Sequence, residues 1–200
     1  MVPAMPGGPV MDLGYMLQPK LVATHSFSDA PALDVLLVPG GFGPVTLEQN
    51  NDTSIETFLR RRFDQLEYLL SVCTGSAILA SSGLLNGHRA TSNKALWSWV
   101  TTHGENVTWV PSARWTEDGK IWTSSGVASD AAGIDMMYAF LKHLYGEDDP
   151  NLVATMNAIE YTPHTDPHWD PFSIVHDVPG HANGNLESCV KPVGTHSRDD

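Results

Sequence analysis

Two cysteines, Cys73 and Cys189, are all that the 200 residues contain. A disulfide framework is therefore excluded, and each thiol is either a small buried side chain or a nucleophile. Basic residues are scarce as well: 11 Lys and Arg stand against 23 Asp and Glu, a formal net charge of −12. A chain this acidic is not expected to partner a nucleic-acid backbone or an anionic membrane surface. No apolar run approaches the ~18 residues that a membrane-spanning helix needs. The opening stretch, MVPAMPGGPVMDLGYML, has neither a basic cluster nor a long apolar segment, so a signal peptide is not expected and the protein reads as cytoplasmic. Nine His are present, but none falls into a zinc-type Cys/His spacing. His164 to Asp170 (HTDPHWD) is interrupted by Pro167 and reads as an irregular loop, so neither metal nor cofactor is expected.

What the chain does have is apolar content, 42%, enough for one α/β core. Residues 1–173 read as one domain behind a Pro- and Gly-rich leader of about residues 1–18, and residues 174–200 as a loose tail. Lys20 to Thr24 is a short candidate strand. DVLLV (Asp34 to Val38) and YLLSV (Tyr68 to Val72) are continuous apolar runs, the pattern of parallel strands buried on both faces. Thr53-x-x-Glu56 reads as a capping box for a helix ending in Arg60, Arg61 and Arg62. Ala90-Thr91 and Val107 to Val110 are brief strands, and Lys94 to Thr102 a helix. A hairpin is expected around Glu117-Asp118-Gly119. Further helices are expected over Ala131–Tyr145 and Pro150–Tyr161. The tryptophans at 97, 99, 109, 115 and 122 read as core rather than as a stacking surface.

The chemistry concentrates at Val72-Cys73-Thr74-Gly75. A buried strand delivers a cysteine to a tight turn and a helix starts at once, which is the logic of a nucleophile elbow. Amides at a helix start favour a thiolate beside them, and Gly75 lets the turn close without a Cβ. Pro39-Gly40-Gly41 follows the first buried strand, so the Gly41 and Thr74 amides are expected to form an anion-stabilising pair. Thr123-Ser124-Ser125-Gly126-Val127 is a third strand-to-helix crossing; Ser124 and Ser125 either donate into the same cleft or cap the helix. Cys189, in the tail, reads as inert.

SVCTGSAILASSGLLNGHRATS resembles the nucleophile segment of the ThiJ/PfpI superfamily, of class I glutamine amidotransferase-like fold, and within it the isonitrile hydratase-like branch. DAPALDVLLVPGG, IWTSSGVASDAAGID and EYTPHTDPHWDPF agree with that branch in order and spacing. The resemblance implies a flavodoxin-like three-layer sandwich with a mostly parallel sheet. It makes Cys73 the nucleophile, with Thr74 positioning the reacting carbon. Gly40, Gly41, Gly75, Ser124, Ser125 and Gly126 are then the small residues around the substrate. Such proteins usually work as homodimers on small molecules. Three departures stand out. The usual first strand-helix unit, with its acidic residue facing the cysteine, has no counterpart here, and Asp12 does not inherit the role. Asn93 stands where several relatives have His. Ala128-Ser129-Asp130 lengthens the entry to the helix at Gly133-Ile134-Asp135.

Three functions compete. An isonitrile hydratase-like lyase needs a thiolate, a proton source and an apolar pocket, but no triad. A glyoxalase- or deglycase-like enzyme needs a base near the thiol. A truncated, non-catalytic binding or regulatory relative needs neither. The first is the leading expectation.

Overall fold

Leu69 and Leu70 are neighbours in the chain and both are fully buried, each in a different apolar cluster. Successive side chains of a strand face opposite ways, so this strand is covered on both sides, as its unbroken apolar run predicts. The structure is a computed structural model that describes residues 22–126 and 131–184. The chain divides into a short unit, Met1–Pro31, and a main unit, Ala32–Asp200. In the described part of the short unit, a turn is closed by the Ser26 N–H on Asp29 Oδ1 at 2.5 Å and the Ala30 N–H on the Ser26 carbonyl at 3.0 Å. Val22 is 93% exposed and residues 22–24 form no strand, so the described part of the Lys20–Thr24 expectation is not met.

The main unit contains β1 (Val35–Val38), β2 (Tyr68–Val72), β3 (Arg89–Ala90), β4 (Thr108–Trp109), β5 (Trp115–Asp118) and β6 (Ile121–Ser124). Its helices are α1 (Gly43–Gln49), α2 (Ser54–Arg62), α3 (Gly75–Ser81), α4 (Trp97–Val100), α5 (Ala132–Tyr145), α6 (Pro150–Ala158) and α7 (Phe172–Val175). Four strands form a sheet in the order β1-β2-β6-β5. The first three run parallel, with Leu37 beside Leu70 and Leu70 beside Trp122; β5 closes the edge as the antiparallel arm of the hairpin turned at Gly119. β3 and β4 pair in a small parallel sheet of their own.

One face of the four-stranded sheet packs Leu69 and Ile121 against Leu59 of α2 and Ile78 and Leu79 of α3. The other packs Leu70, Val72 and Trp122 against Met136 and Phe140 of α5. The result is the mostly parallel, helix-flanked α/β architecture that the buried strands imply. Trp97, Trp115 and Trp122 are in the core, as expected of them, whereas Trp99 and Trp109 are half-buried.

Several local expectations need correction. Thr53 does stand at the start of α2, but without a side-chain cap; the Asp52 carboxylate takes the Ser54 N–H at 3.0 Å instead. The Lys94–Thr102 helix contracts to the single turn of α4, because Lys94 turns inward and Asn93 Oδ1 takes the Leu96 N–H. α6 gains a cap that composition did not flag, with Asp149 accepting from the Asn151 and Leu152 amides. Past residue 173 the described chain is mostly exposed but anchored at points: α7 ends at Val175, Val178 is 1% exposed, and the Ala182 N–H donates to Ser112 Oγ at 2.6 Å. Cys189 and Ala128–Asp130 lie outside the described residues.

Candidate active site

β2 ends at Val72 and the next residue, Cys73, takes φ +59 before α3 begins at Gly75. A non-glycine residue in this left-handed region is strained by about 1 kcal/mol or more and persists only where its surroundings hold it. Here they do. The Cys73 N–H donates to the carbonyls of Ser124 and Ser125 at 3.1 and 2.9 Å. The Cys73 carbonyl accepts from Ser92 Oγ at 3.0 Å and Ser76 Oγ at 3.1 Å. β6, the end of α3 nearest the turn and the Thr91-Ser92 segment thus grip both peptide groups of the elbow. Cys73 itself is half-buried.

The glycines sit where a side chain has no room. A Cβ on Gly40 would stand 2.6 Å from Cys73 Cβ and from the Thr74 nitrogen, and a Cβ on Gly75 would collide with the Val38 carbonyl oxygen. The PGG turn after β1 therefore lies directly against the turn that carries Cys73. Thr74 Oγ1 binds that turn twice, accepting from the Gly41 N–H at 2.8 Å and donating to the Gly41 carbonyl at 2.7 Å. This corrects the expected amide pair. The Gly41 N–H is committed to a hydroxyl, and Thr74 acts through its side chain as the clasp between the two turns.

Ser124 is fully buried and its hydroxyl faces the Ser125 carbonyl at 3.4 Å, while the Ser125 N–H donates to the Arg114 carbonyl at 2.9 Å. Neither caps α5, whose N-cap position is Ala131. Gly126 lies beside Asn93; a Cβ there would be 3.1 Å from Asn93 Nδ2. A small cavity of about 40 Å³ separates Asn93, Ser125 and Gly126 from His176, a residue that composition assigned to the tail. The structure thus brings Cys73, Thr74, Gly40, Gly41 and Gly75 into one cluster, with Ser124 and Ser125 contributing backbone acceptors to Cys73 rather than the expected side-chain donors.

Two buried acids were not singled out by sequence. Asp170 approaches Lys94 Nζ at 3.8 Å, with both side chains 1–2% exposed, and Lys94 also donates to Thr91 Oγ1 and the Ala113 carbonyl at 2.7 and 2.8 Å. Burial lowers the Lys94 pKa to about 8, with Asp170 opposing the shift. Asp135, fully buried in the first turn of α5, holds Arg114 at 2.6 Å, the Tyr161 hydroxyl at 2.7 Å and the His164 N–H at 2.8 Å. These acids fix the HTDPHWD loop to the domain. Among the described residues no cluster of three His, Cys, Asp or Glu is arranged for a metal.

Residues 14–143 match a family model described as the DJ-1/PfpI family. An isonitrile hydratase of Pseudomonas putida is 37% identical over 145 residues, covering 72% of this chain and 59% of that protein. A deglycase of Pyrococcus horikoshii is 31% identical over 123 residues, covering 62% of this chain and 67% of that one. The crystal structure of a ThiJ/PfpI family protein from Pseudomonas syringae superposes with a TM-score of 0.59 at 31% identity, over 72% of this chain and 56% of that protein. This chain thus spans less than two thirds of the hydratase and of the Pseudomonas syringae protein. Among the described residues no helix is long and apolar enough to cross a membrane.

Proposed function

We propose that this chain, which belongs to the DJ-1/PfpI family, is an isonitrile hydratase-like lyase with Cys73 as its nucleophile. The observation that carries the reading is the elbow: a half-buried cysteine at φ +59, gripped on both peptide groups, in a segment shared with a relative that is an isonitrile hydratase. Its sulfur bonds to the terminal carbon of R–NC while that carbon takes a proton, giving the thioimidate R–N=CH–S–Cys73. Water adds at the same carbon, the C–S bond breaks, the nitrogen takes a proton, and R–NH–CHO leaves with the thiol regenerated. The sum is one isonitrile plus one water. With the Gly41 N–H committed to Thr74 Oγ1, the donor beside the reacting carbon is the Thr74 amide at the start of α3. Asn93 supplies no base at the position where a hemithioacetal mechanism would use one, which favours addition to a polarised carbon over proton abstraction. The matching deglycase supports a second reading, turnover of a 2-oxoaldehyde. We further assign the enzyme to the cytoplasm as a homodimer; exposed Val35 and Leu37 on β1 support a partner surface.

An aryl isonitrile is incubated with wild type and Cys73→Ser, following formamide, with methylglyoxal loss measured in parallel. Formamide from wild type alone is the expected result. Equal formamide from both proteins overturns the mechanism; methylglyoxal turnover without formamide selects the second reading; turnover of neither selects a non-catalytic relative. Light scattering at micromolar concentration tests the dimer.

A further inference from the structure

α5 has an apolar flank that the domain does not cover. Ile134, Met137, Leu141 and Leu144 recur at intervals of three, four and three residues, so they line one side of the helix. Ile134 and Leu144 are 38% and 39% exposed, and Met137 and Leu141 are half-buried. The opposite flank, with Asp135, Ala139 and Lys142, lines a cavity shared with β5 and β6. β1 and β5 are the two edges of the sheet, so the apolar flank is turned toward β1. The sheet is uncovered there too. Val35 and Leu37 lie in register with Tyr68 and Leu70 and share their face of the sheet. Leu70 is fully buried against α5, whereas Val35 and Leu37 are 39% and 42% exposed. Strand and helix flank together make an apolar step along this edge.

We propose that this step is where two copies of the chain meet, α5 of the second copy packing antiparallel against α5 beside β1. The proposal rests on the homodimer reading above and gives it a surface. Intervals of three, four and three read the same from either end. An antiparallel copy therefore sets Ile134 against the partner's Leu144 and Met137 against the partner's Leu141, each contact occurring twice across a two-fold axis. A helix of another protein has no reason to repeat this spacing. Charge points the same way. Protomers of net charge −12 can approach closely only where carboxylates are few, and the one acid in α5, Asp135, is buried against Arg114. The antiparallel sense carries exposed Glu147 and Asp148, just past the C-terminal end, toward the start of the partner helix. That first turn has no capping side chain and bears the positive end of the helix dipole. A parallel copy would bring the two acidic turns together.

The test is analytical ultracentrifugation of the full chain over a dilution series, with circular dichroism to show that each variant is folded. Wild type is expected to dimerise at micromolar concentration. Ile134→Glu and Leu144→Lys, both at exposed positions, are each expected to raise the dissociation constant by about tenfold or more. Combined, they set opposite charges against each other at both symmetry-related contacts, so the double variant is expected to dimerise more tightly than either single one. Val153→Glu, at a position 51% exposed on α6, adds the same charge as Ile134→Glu and is expected to leave the dimer unchanged. A monomeric wild type overturns the homodimer reading and this interface together, and leaves the step to an occupant other than a second copy. A dimer that either single substitution leaves intact overturns this interface alone, as does one that Val153→Glu weakens equally. A double variant no tighter than the single ones overturns the antiparallel pairing. Should one single variant not fold, the other decides against Val153→Glu.

Discussion

Thr74 Oγ1 and the Gly41 peptide exchange two hydrogen bonds, 2.8 Å from the Gly41 N–H to the hydroxyl and 2.7 Å from the hydroxyl to the Gly41 carbonyl. One side chain thereby satisfies both backbone polar groups of Gly41 and fixes the PGG turn against the turn that carries Cys73. Thr74→Val keeps the shape and removes both bonds, leaving a donor and an acceptor unmet. A stability loss of about 1–3 kcal/mol is expected, with turnover falling at the same time, whereas Thr74→Ser retains most of both. Urea unfolding together with formamide formation measures this; a Val variant equal to wild type in both would remove the clasp from the account.

The same close approach makes Gly40 irreplaceable. Alanine there would bring its Cβ to 2.6 Å from Cys73 Cβ and from the Thr74 backbone nitrogen, neither of which can yield without moving the elbow. Gly40→Ala should lower iodoacetamide labelling of Cys73 and turnover together. Gly41→Ala meets no atom within 4 Å and carries only the strain of φ +129, a cost of about 1–3 kcal/mol. Equal activity in the two variants would contradict the packing of the turns.

Lys94 ties stability to alkaline pH. In the native protein it titrates near 8, against 10.5 for the ordinary side chain. Below 8 both states hold the proton and the native state bears the full burden of a buried charge. Between 8 and 10.5 the native state releases the proton while the unfolded chain keeps it, so unfolding takes up a proton and stability rises with pH, by roughly 3 kcal/mol across the window. Unfolding curves at pH 7 and pH 10 should show wild type gaining on Lys94→Met. Parallel changes in the two proteins would show that Lys94 does not titrate there.

Asp135→Asn removes the charge that Arg114 faces at 2.6 Å while both are buried. The buried ion pair is broken, and a loss of about 3 kcal/mol is expected. Adding Arg114→Met should recover part of it, as a thermal melt would show. Equal melting temperatures for the single and double variants would locate the cost in the Tyr161 and His164 contacts instead.

Much of this was legible in the residues. DVLLV and YLLSV have no polar face to offer water, so their burial on both sides follows from pattern alone, and Cys73-Thr74-Gly75 can only be a turn at the end of such a strand. The hairpin at Gly119 and the stop at Gly146 are equally local. The roles of Lys94, Asp135 and Asp170 are not. Each becomes structural through a partner 21 to 76 residues away, Arg114 for Asp135 and Asp170 for Lys94. No periodicity encodes such a pairing. The Gly41 amide misled for a related reason: its availability depends on where the Thr74 hydroxyl turns. Past 173 glycine and proline mark irregular backbone, and composition gives no sign that Val178 alone among the next residues is buried.

β2 has a consequence for how the protein fails. A strand with Leu69 and Leu70 sealed on opposite faces has no frayed side from which to open, so its amides should exchange hydrogen only when the whole domain unfolds. Cys73, the proposed nucleophile, follows the last residue of that strand. Catalysis should therefore not fade ahead of the fold under mild urea or warming; it should persist to the edge of the cooperative transition and vanish within it.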